Sequence, residues 1–259
     1  QKGGCGKSSH CFHLAGYFAD SGQRVLLLDC DPQGSLSQAF FGSELVEQLE
    51  PQETIATAFA DESFLHAPSL VASTAFENLH VVRANHHLAP HNTPSPESSG
   101  LRQYSVQTLL SQVGEFELVL IDCPPNLYTC SWNALLAADF VLVPVPPEDF
   151  GTQGLRAVHQ AVENATLLNP RLELLGHVVA RSDSRLLIHR AYEQQLRRLY
   201  GKLVLETVIP EASAFKVALA CRHPVTTYAP RSKAADLTRS LGREILDRIN
   251  QKRKQRQVA

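Results

Sequence analysis

Short apolar runs alternate along this chain with longer segments in which apolar residues recur at helical spacing. The apolar runs predict strands at residues 24–28, 79–83, 118–121, 140–145, 173–179 and 203–208. The amphipathic segments predict helices at residues 7–20, 54–60, 101–113, 131–137, 154–168, 187–199 and 233–251. Runs such as 25–28 are apolar throughout, which is typical of strands buried on both faces. The pattern therefore predicts an α/β fold with a mainly parallel twisted sheet and helices on both faces.

Composition narrows the class of protein. The length of 259 residues suits one α/β domain, and we expect a single domain over residues 1–259, with an exposed loop at 84–100. The net charge is −2, so any contact with nucleic acid needs a local basic patch. Six cysteines without a C-x-x-C pair favour reduced thiols in a cytoplasmic protein. No apolar run approaches the roughly 20 residues that span a bilayer.

The segment Gln1 to Ser9, QKGGCGKSS, has the character of a phosphate-binding loop at the start of a helix. In such loops glycine-rich backbone amides surround phosphates, a lysine reaches the outer ones and a hydroxyl holds Mg²⁺. Gly3, Gly4, Cys5, Gly6, Lys7, Ser8 and Ser9 would form this site. Lys2 is one lysine more than the motif requires. A strand normally precedes such a loop, so we expect that a first, central strand is missing from the sequence as given.

Three further segments end predicted strands with residues that suit a nucleotide site. Asp29 and Asp31 follow the first apolar run, and Asp122 ends the run at 118–121. Ligands of open α/β sheets bind at the carboxyl ends of strands. We expect Asp122 to join Ser8 around Mg²⁺, Asp29 to hold a water on the metal and Asp31 to orient the attacking water. The Pro210-Glu211 segment, after the last run, is expected to cover the adenine.

These segments together resemble the ParA/MinD family of P-loop ATPases with a second, early lysine, and within it the ParA partition branch. The matching segments are KGGCGKS at 2–8, VLLLDCDPQG at 25–34, LVLIDCPP at 118–125, NALLAADFVLVP at 133–144, VIP at 208–210 and PVTTYAPRSKAA at 224–235. The resemblance implies a homodimer with ATP and Mg²⁺ sandwiched between protomers. It also implies that Lys2 acts on the partner's phosphates, that Lys7 acts on its own and that hydrolysis is slow.

The resemblance further implies non-specific DNA binding at the nucleoid and a ParB-type centromere-binding partner that stimulates hydrolysis. The candidate DNA contacts are Arg185, Arg190, Lys216, Arg222, Arg231 and Lys233, with Lys252, Arg253, Lys254 and Arg256 as auxiliaries. Each of these residues could equally be a solvated surface charge. The sequence departs from the branch at Glu211 and Ala214, where relatives often carry a basic residue.

Glu211 keeps a second function open, a ParA-like ATPase that positions a protein cargo such as a chemoreceptor, flagellar or cellulose-synthase apparatus. A third is a ligase or synthetase of the wider P-loop group. The tail at 251–259 lacks the apolar face of a membrane anchor, so no membrane partner is expected. Cys123 and Cys130 could ligate an iron–sulfur cluster, but we expect them to be buried small residues instead. His86, His87 and His91 are more simply explained by a polar loop than by a metal site.

Overall fold

The computed structural model of the protein describes residues 4–60, 67–147 and 152–258. Lys2 and Gly3 lie outside the described residues, so their predicted roles stay predictions.

Strands and helices alternate through most of the chain. The strands are β1 (Val25–Asp29), β2 (Val71–Ser73), β3 (Leu79–Val82), β4 (Leu118–Asp122), β5 (Phe140–Val145), β6 (Glu173–Ser182) and β7 (Ile209–Pro210). The α-helices are α1 (Lys7–Asp20), α2 (Ser35–Phe41), α3 (Ser43–Glu47), α4 (Ala56–Ala60), α5 (Ser105–Gln112), α6 (Thr129–Ala137), α7 (Thr152–Thr166), α8 (Leu187–Tyr200), α9 (Ser213–Ala220), α10 (Val225–Tyr228) and α11 (Lys233–Val258). Short 3-10 helices lie at Pro51–Glu53, Ala67–Leu70, His86–His91, Pro96–Tyr104 and Gly201–Leu203.

The strands form two sheets, with the orders β2-β3-β1-β4 and β5-β6-β7. All neighbouring pairs are parallel except β2 with β3. Strand β1 lies in the middle of the first sheet and is buried along its whole length. Its register with β4 sets Asp29 directly beside Asp122. Parallel pairing therefore brings two sequence-distant carboxylates together at one end of the sheet.

A groove of about 620 Å³ separates the two sheets. One wall is β4 and the other is β5, and Cys11 of α1 and Ile245 of α11 also line it. Both strands are only half-buried, in contrast to β1. The expectation of a strand before the phosphate loop concerns residues outside the given sequence and stays a prediction.

Helix α1 packs tightly on the C-terminal part of the chain. Its buried residues, among them Phe12 and Phe18, share one hydrophobic cluster with β1 and with Leu241 and Ile245 of α11. A Cβ atom added at Gly16 would lie 2.2 Å from the Cβ of Pro224, at the start of α10. The absent side chain at Gly16 thus allows the close approach of these helices.

The predicted fold class is confirmed, but several elements differ. The strand predicted at 203–208 is wrong: Gly201–Leu203 is a 3-10 turn, and Val204 makes only an isolated bridge to His177. In this segment, side chains of α11 form the hydrogen bonds to backbone N–H and C=O groups that a neighbouring strand would otherwise form. Arg248 donates to the carbonyl oxygens of residues 202 and 204, at 2.8 and 3.2 Å. Glu244 accepts from the backbone N–H groups of residues 206 and 207, at 2.7 and 2.9 Å.

Other differences concern short elements that were not predicted and the ends of the predicted helices. The sequence pattern did not predict β2, α2, α3, α9 and α10, which are short and carry too few residues for a clear period. Helix α5 begins at Ser105 rather than 101, and α11 runs to Val258 rather than 251. The exposed loop predicted at 84–100 is partly wrong: Ala84, Asn85 and Leu88 are buried, His86–His91 is a 3-10 helix, and a second 3-10 segment spans Pro96–Tyr104.

Gly16→Ala tests the contact between α1 and Pro224. Overpacking against a rigid proline outweighs the better helix propensity of alanine, so we expect the free energy of unfolding to fall by about 1–3 kcal/mol. Gly154→Ala is the matched control, because a Cβ atom at this helical glycine meets nothing within 4 Å. The control should keep or slightly raise stability in urea unfolding. Equal stability of both variants would contradict the tight packing.

Candidate nucleotide-binding site

Four segments meet at a cleft of about 470 Å³. They are the loop before α1, the turn after β1, the turn after β4 and the segment that includes β7. Representative lining residues are Gly6, Lys7, Asp31, Pro125 and Pro210. Strands β1, β4 and β7 approach the cleft with their carboxyl ends, the place where open α/β sheets bind ligands. The structure thus brings the predicted segments together.

The loop before α1 has the geometry of an anion-binding turn. Gly4 and Gly6 have φ values of 84° and 86°, in the left-handed region that glycine adopts without strain. Within the described residues, no side chain caps the helix at Gly6, and the first turn carries no acidic residue. The free N–H groups and the helix dipole therefore favour a phosphate at this end. Lys7, in the first turn, lines the cleft.

Asp122 ends β4 and lines the groove between the two sheets together with Cys5 and Lys7 of the phosphate loop. The residue is 1% exposed, and no described residue donates a well-aligned hydrogen bond to either oxygen, although the Ser8 hydroxyl and the Cys123 N–H lie close enough to favour the charged form. Burial raises the pKa of this carboxyl, while Ser8 and Lys7 act in the opposite direction. A buried carboxylate without a partner is costly unless a cation or a strong donor reaches it. Asp122 is thus suited to hold a cation.

Asp29 uses its carboxylate differently. One oxygen accepts from the Asp31 backbone N–H at 3.1 Å, and the other from Ser37, through its N–H at 2.8 Å and its hydroxyl at 2.7 Å. Burial and the neighbouring Asp122 raise the pKa of Asp29, and the bonds from Ser37 and Asp31 oppose this. These bonds tie the turn after β1 to the start of α2. The predicted water-holding role of Asp29 stays a prediction.

Asp31 lines the cleft one turn beyond Asp29. One of its oxygens accepts from the backbone N–H of Gln33 at 2.9 Å, which closes a tight turn. This bond holds the Asp31 side chain in one orientation at the wall of the cleft. This is the geometry that a water-orienting carboxylate requires.

The described residues fit Mg²⁺ as a partner of bound phosphate rather than as a resident metal. No group of three or more His, Cys, Asp or Glu side chains in the described ranges is arranged to hold a metal. Mg²⁺, however, is usually bound by one or two carboxylates together with phosphates and waters. The unpartnered oxygens of Asp122 and the hydroxyl of Ser8, in the first turn of α1, supply such a partial shell.

The other end of the cleft is formed by Pro210, Glu211 and α9. The Glu211 carboxylate contacts Lys216 Nζ at 2.6 Å and Arg181 at 3.4 Å. Lys216 first, and Arg181 with it, hold the pKa of Glu211 below its usual range. Glu211 therefore remains an anion that is paired with two cations at the mouth of the cleft.

Sequence reasoning missed several residues of the cleft. Arg181, His10, His13 and Phe215 all line it. His10 donates through Nδ1–H to the Gly6 carbonyl oxygen at 2.6 Å, and burial lowers the pKa of its imidazole. The one available signal was Arg181 itself, a charge directly after the apolar residues 178–180 of β6.

The predicted DNA contacts lie in varied settings. Arg185 is 88% exposed and pairs with Asp183 at 2.7 Å. Arg190 donates to the Ser184 carbonyl oxygen at 2.7 Å, and Lys216 pairs with Glu211. Exposed Arg222 packs its guanidinium against Gly42, and Arg231 and Lys233 lie exposed at the start of α11.

The four auxiliary basic residues near the end of the chain differ in their contacts. Glu173 accepts from Lys252 and, at 2.6 Å, from Arg256 Nε. Arg256 also lies over the Phe140 ring. Arg253 and Lys254 are exposed. Two of the four basic side chains are thus engaged within the protein.

Two further predictions concern metal-binding side chains. Cys130 is buried and Cys123 half-buried, and burial raises the pKa of both thiols, which lowers their reactivity. His86 and His87 stack with ring centroids 4.1 Å apart. No helix among the described residues has the length and apolarity to cross a membrane.

Comparison with known proteins agrees with this geometry. A family of AAA domains matches residues 1–174. The chain is 34% identical over 258 residues to the chromosome-partitioning ATPase Soj of Thermus thermophilus, covering 97% of this chain and 94% of that protein. It is 30% identical to the chromosome partitioning protein ParA of Myxococcus xanthus, covering 100% and 90%. It superimposes with a TM-score of 0.77 and 26% identity on cobyrinic acid a,c-diamide synthase of Mycobacterium smegmatis with a bound ATP analogue and magnesium, covering 95% and 91%.

The fold and the cleft define a P-loop nucleotide-binding protein of the α/β class. More narrowly, the chain belongs to the ParA/MinD family of P-loop ATPases, as its sequence predicted.

The buried carboxylates predict a pH dependence of stability. A carboxyl whose pKa is raised by folding keeps its proton in the folded state, so its contribution to stability is lost as pH rises above about 4. Without metal, Asp122→Asn should therefore gain stability relative to the native protein as pH rises from 5 to 8, by roughly 1–2 kcal/mol. Urea unfolding in EDTA measures this difference.

Burial lowers the pKa of His13 to about 3, so this histidine changes the stability with pH in the opposite sense. Because His13 is present in both proteins, its effect cancels when Asp122→Asn is compared with the native protein. The exposed Asp247 provides the control Asp247→Asn, for which the difference should not change with pH. If the difference in free energy of unfolding between Asp122→Asn and the native protein did not change with pH, folding would not raise the pKa of Asp122.

Proposed function

We propose that this protein is an ATPase that dimerises on ATP, binds DNA without sequence preference and segregates plasmid or chromosomal DNA together with a ParB-type partner. The observation that supports this most directly is the cleft in which the phosphate loop and Asp31 meet, with Asp122 beside Lys7 in the adjoining groove. The relatives named as chromosome-partitioning proteins match nearly the whole chain.

The residues of the cleft suggest separate roles in hydrolysis. Lys7 and the backbone N–H groups of the loop bind the phosphates of the same protomer. Ser8 and Asp122 would hold Mg²⁺, which would neutralise charge on the phosphates. Asp31 orients the attacking water, since its turn fixes one oxygen and leaves the carboxylate at the cleft. Pro210 and Glu211 line one end of the cleft, and we propose that the adenine binds against them.

Lys2 is proposed to act across the dimer on the phosphates of the partner protomer. A cation supplied in trans would make the affinity between protomers depend on the charge of the bound nucleotide. Hydrolysis then weakens the dimer, so that ATP acts as a timer for the dimeric state. The partner protein would shorten this lifetime by stimulating hydrolysis.

The DNA-binding surface is proposed to include Arg185, Arg190, Arg231 and Lys233. All four are exposed on the C-terminal half of the chain. Phosphate contacts of this kind give salt-dependent affinity without reading the bases. The protein would be cytoplasmic and associated with the nucleoid.

A second candidate function, positioning of a protein cargo, is favoured by two observations. Glu211 neutralises Lys216 in the region where the partition branch is often basic. Leu186, Leu187 and Ile188 lie beside Arg185 with 46%, 76% and 59% of their surfaces exposed. Exposed aliphatic side chains gain more from contact with a protein than from contact with phosphates.

Three substitutions separate the proposed roles of the loop and the cleft. We expect Lys7→Ala to lose ATP binding, and Asp31→Ala to bind ATP but lose turnover and stay dimeric. Lys2→Ala should bind ATP as a monomer but fail to dimerise and to hydrolyse. Fluorescent-nucleotide titration, light scattering and phosphate release measure the three properties.

The exposed Lys202 provides the control, and Lys202→Ala should behave as the native protein in all three assays. ATP-dependent dimerisation of Lys2→Ala equal to that of the native protein would contradict action across the dimer. ATP turnover only in the presence of a small carboxylate or amide acceptor would instead indicate a synthetase.

Binding to random-sequence duplex DNA discriminates between the two candidate functions. With ATP, we expect affinity that falls as salt rises from about 50 to 200 mM. Replacing both Arg185 and Arg190 by Ala should weaken binding equally for all sequences and reduce the salt slope by about 2. Arg243→Ala, on the exposed face of α11, is the control. A native protein that dimerises on ATP without binding DNA at low salt would leave cargo positioning as the function.

A further inference from the structure

We propose that Arg181 is a positioning residue that holds the phosphate loop in its anion-binding shape. The proposal rests on the assignment of this loop to nucleotide binding. Arg181 lies at the end of β6, 177 residues from the loop, and its Nη1 atom donates to the Gly4 carbonyl oxygen at 2.6 Å. This is a charge-assisted bond of short length.

The position of Arg181 follows from an irregularity in the sheet. Ala180 pairs with Ile209, but it is Ser182, and not Arg181, that pairs with Pro210. Arg181 is thus an extra residue in β6, a bulge of the kind that redirects a side chain. Its φ value of 55° is uncommon for a residue with a side chain. The backbone strain and the bulge together turn the guanidinium towards the cleft rather than along the strand.

The bond to Gly4 constrains more than one atom of the loop. A trans peptide unit is planar, so fixing the Gly4 carbonyl also fixes the direction of the Cys5 N–H. Gly4 has a φ of 84° and, as a glycine, would otherwise visit many conformations. Arg181 reduces this freedom before any ligand binds. Preorganised donors cost less to arrange when the anion arrives.

The second end of the guanidinium fixes Arg181 itself. Nη2 lies 3.4 Å from the Glu211 carboxylate, which also accepts from Lys216 at 2.6 Å. The phosphate loop, the end of β6 and the start of α9 are therefore linked through one side chain. Arg243, on the exposed face of α11, donates to Ser240 Oγ at 3.5 Å and does not line the cleft, so it serves as the matched control.

The test compares Arg181→Met with Arg243→Met in the binding of two Mg²⁺-loaded probes, fluorescent ADP and inorganic tripolyphosphate. We expect Arg181→Met to weaken both probes by about tenfold, the size of one charge-assisted hydrogen bond. The loss of affinity should be similar for ADP and for tripolyphosphate, because the loop contacts phosphate and not the base. Arg243→Met should leave both affinities unchanged. Turnover at saturating ATP should be kept, so that KM rises while kcat does not fall.

Arg181→Lys, which keeps the charge and one donor, should restore part of the affinity, and Arg181→Gln provides a second test if the Met variant does not fold. Native affinity for both probes in Arg181→Met, or tighter binding, overturns the proposal. Weaker ADP binding with unchanged tripolyphosphate binding also overturns it and assigns Arg181 to the base. Failure of the native protein to bind either probe would instead refute the nucleotide site.

Discussion

The adjacency of Asp29 and Asp122 is the constraint on which the rest of the site depends. Parallel pairing of β1 and β4 in this register leaves two carboxylates side by side in a buried place. Desolvation and mutual repulsion oppose their ionisation. The surrounding structure compensates unequally: Ser37 and a backbone N–H satisfy Asp29, whereas Asp122 keeps open oxygens beside the phosphate loop. Asp29 thereby ties the turn after β1 to the start of α2, and Asp122 is available to a cation.

Much of this arrangement could be predicted from the sequence, because each part of it is local. Asp29 and Asp122 each end an apolar run, and Gly6, Lys7 and Ser8 open a helix that the pattern shows clearly. Parallel strands then need no further information to bring these ends together. The central features of fold and cleft follow from such short-range signals.

The remaining features depend on pairings between distant residues. The direction of Arg181 depends on a one-residue irregularity between β6 and β7, which no periodic pattern shows. The region around residue 204 has an apolar sequence typical of a strand, yet α11 side chains replace the ladder there. Glu211 suggests a lost basic position when taken alone, and only the structure shows that it neutralises Lys216. Charge counted along the chain therefore overstates the charge that the surface presents.

The way α11 fastens the segment beside β6 has a consequence for association between molecules. The edge of a sheet normally offers unpaired backbone groups on which another chain can form a strand. In this protein Arg248 and Glu244 already occupy carbonyl and N–H groups of that neighbouring segment, and β7 is only two residues long. This border of the second sheet is therefore a poor template for strand addition. A helix that completes the hydrophobic core also protects the protein against self-aggregation at this edge.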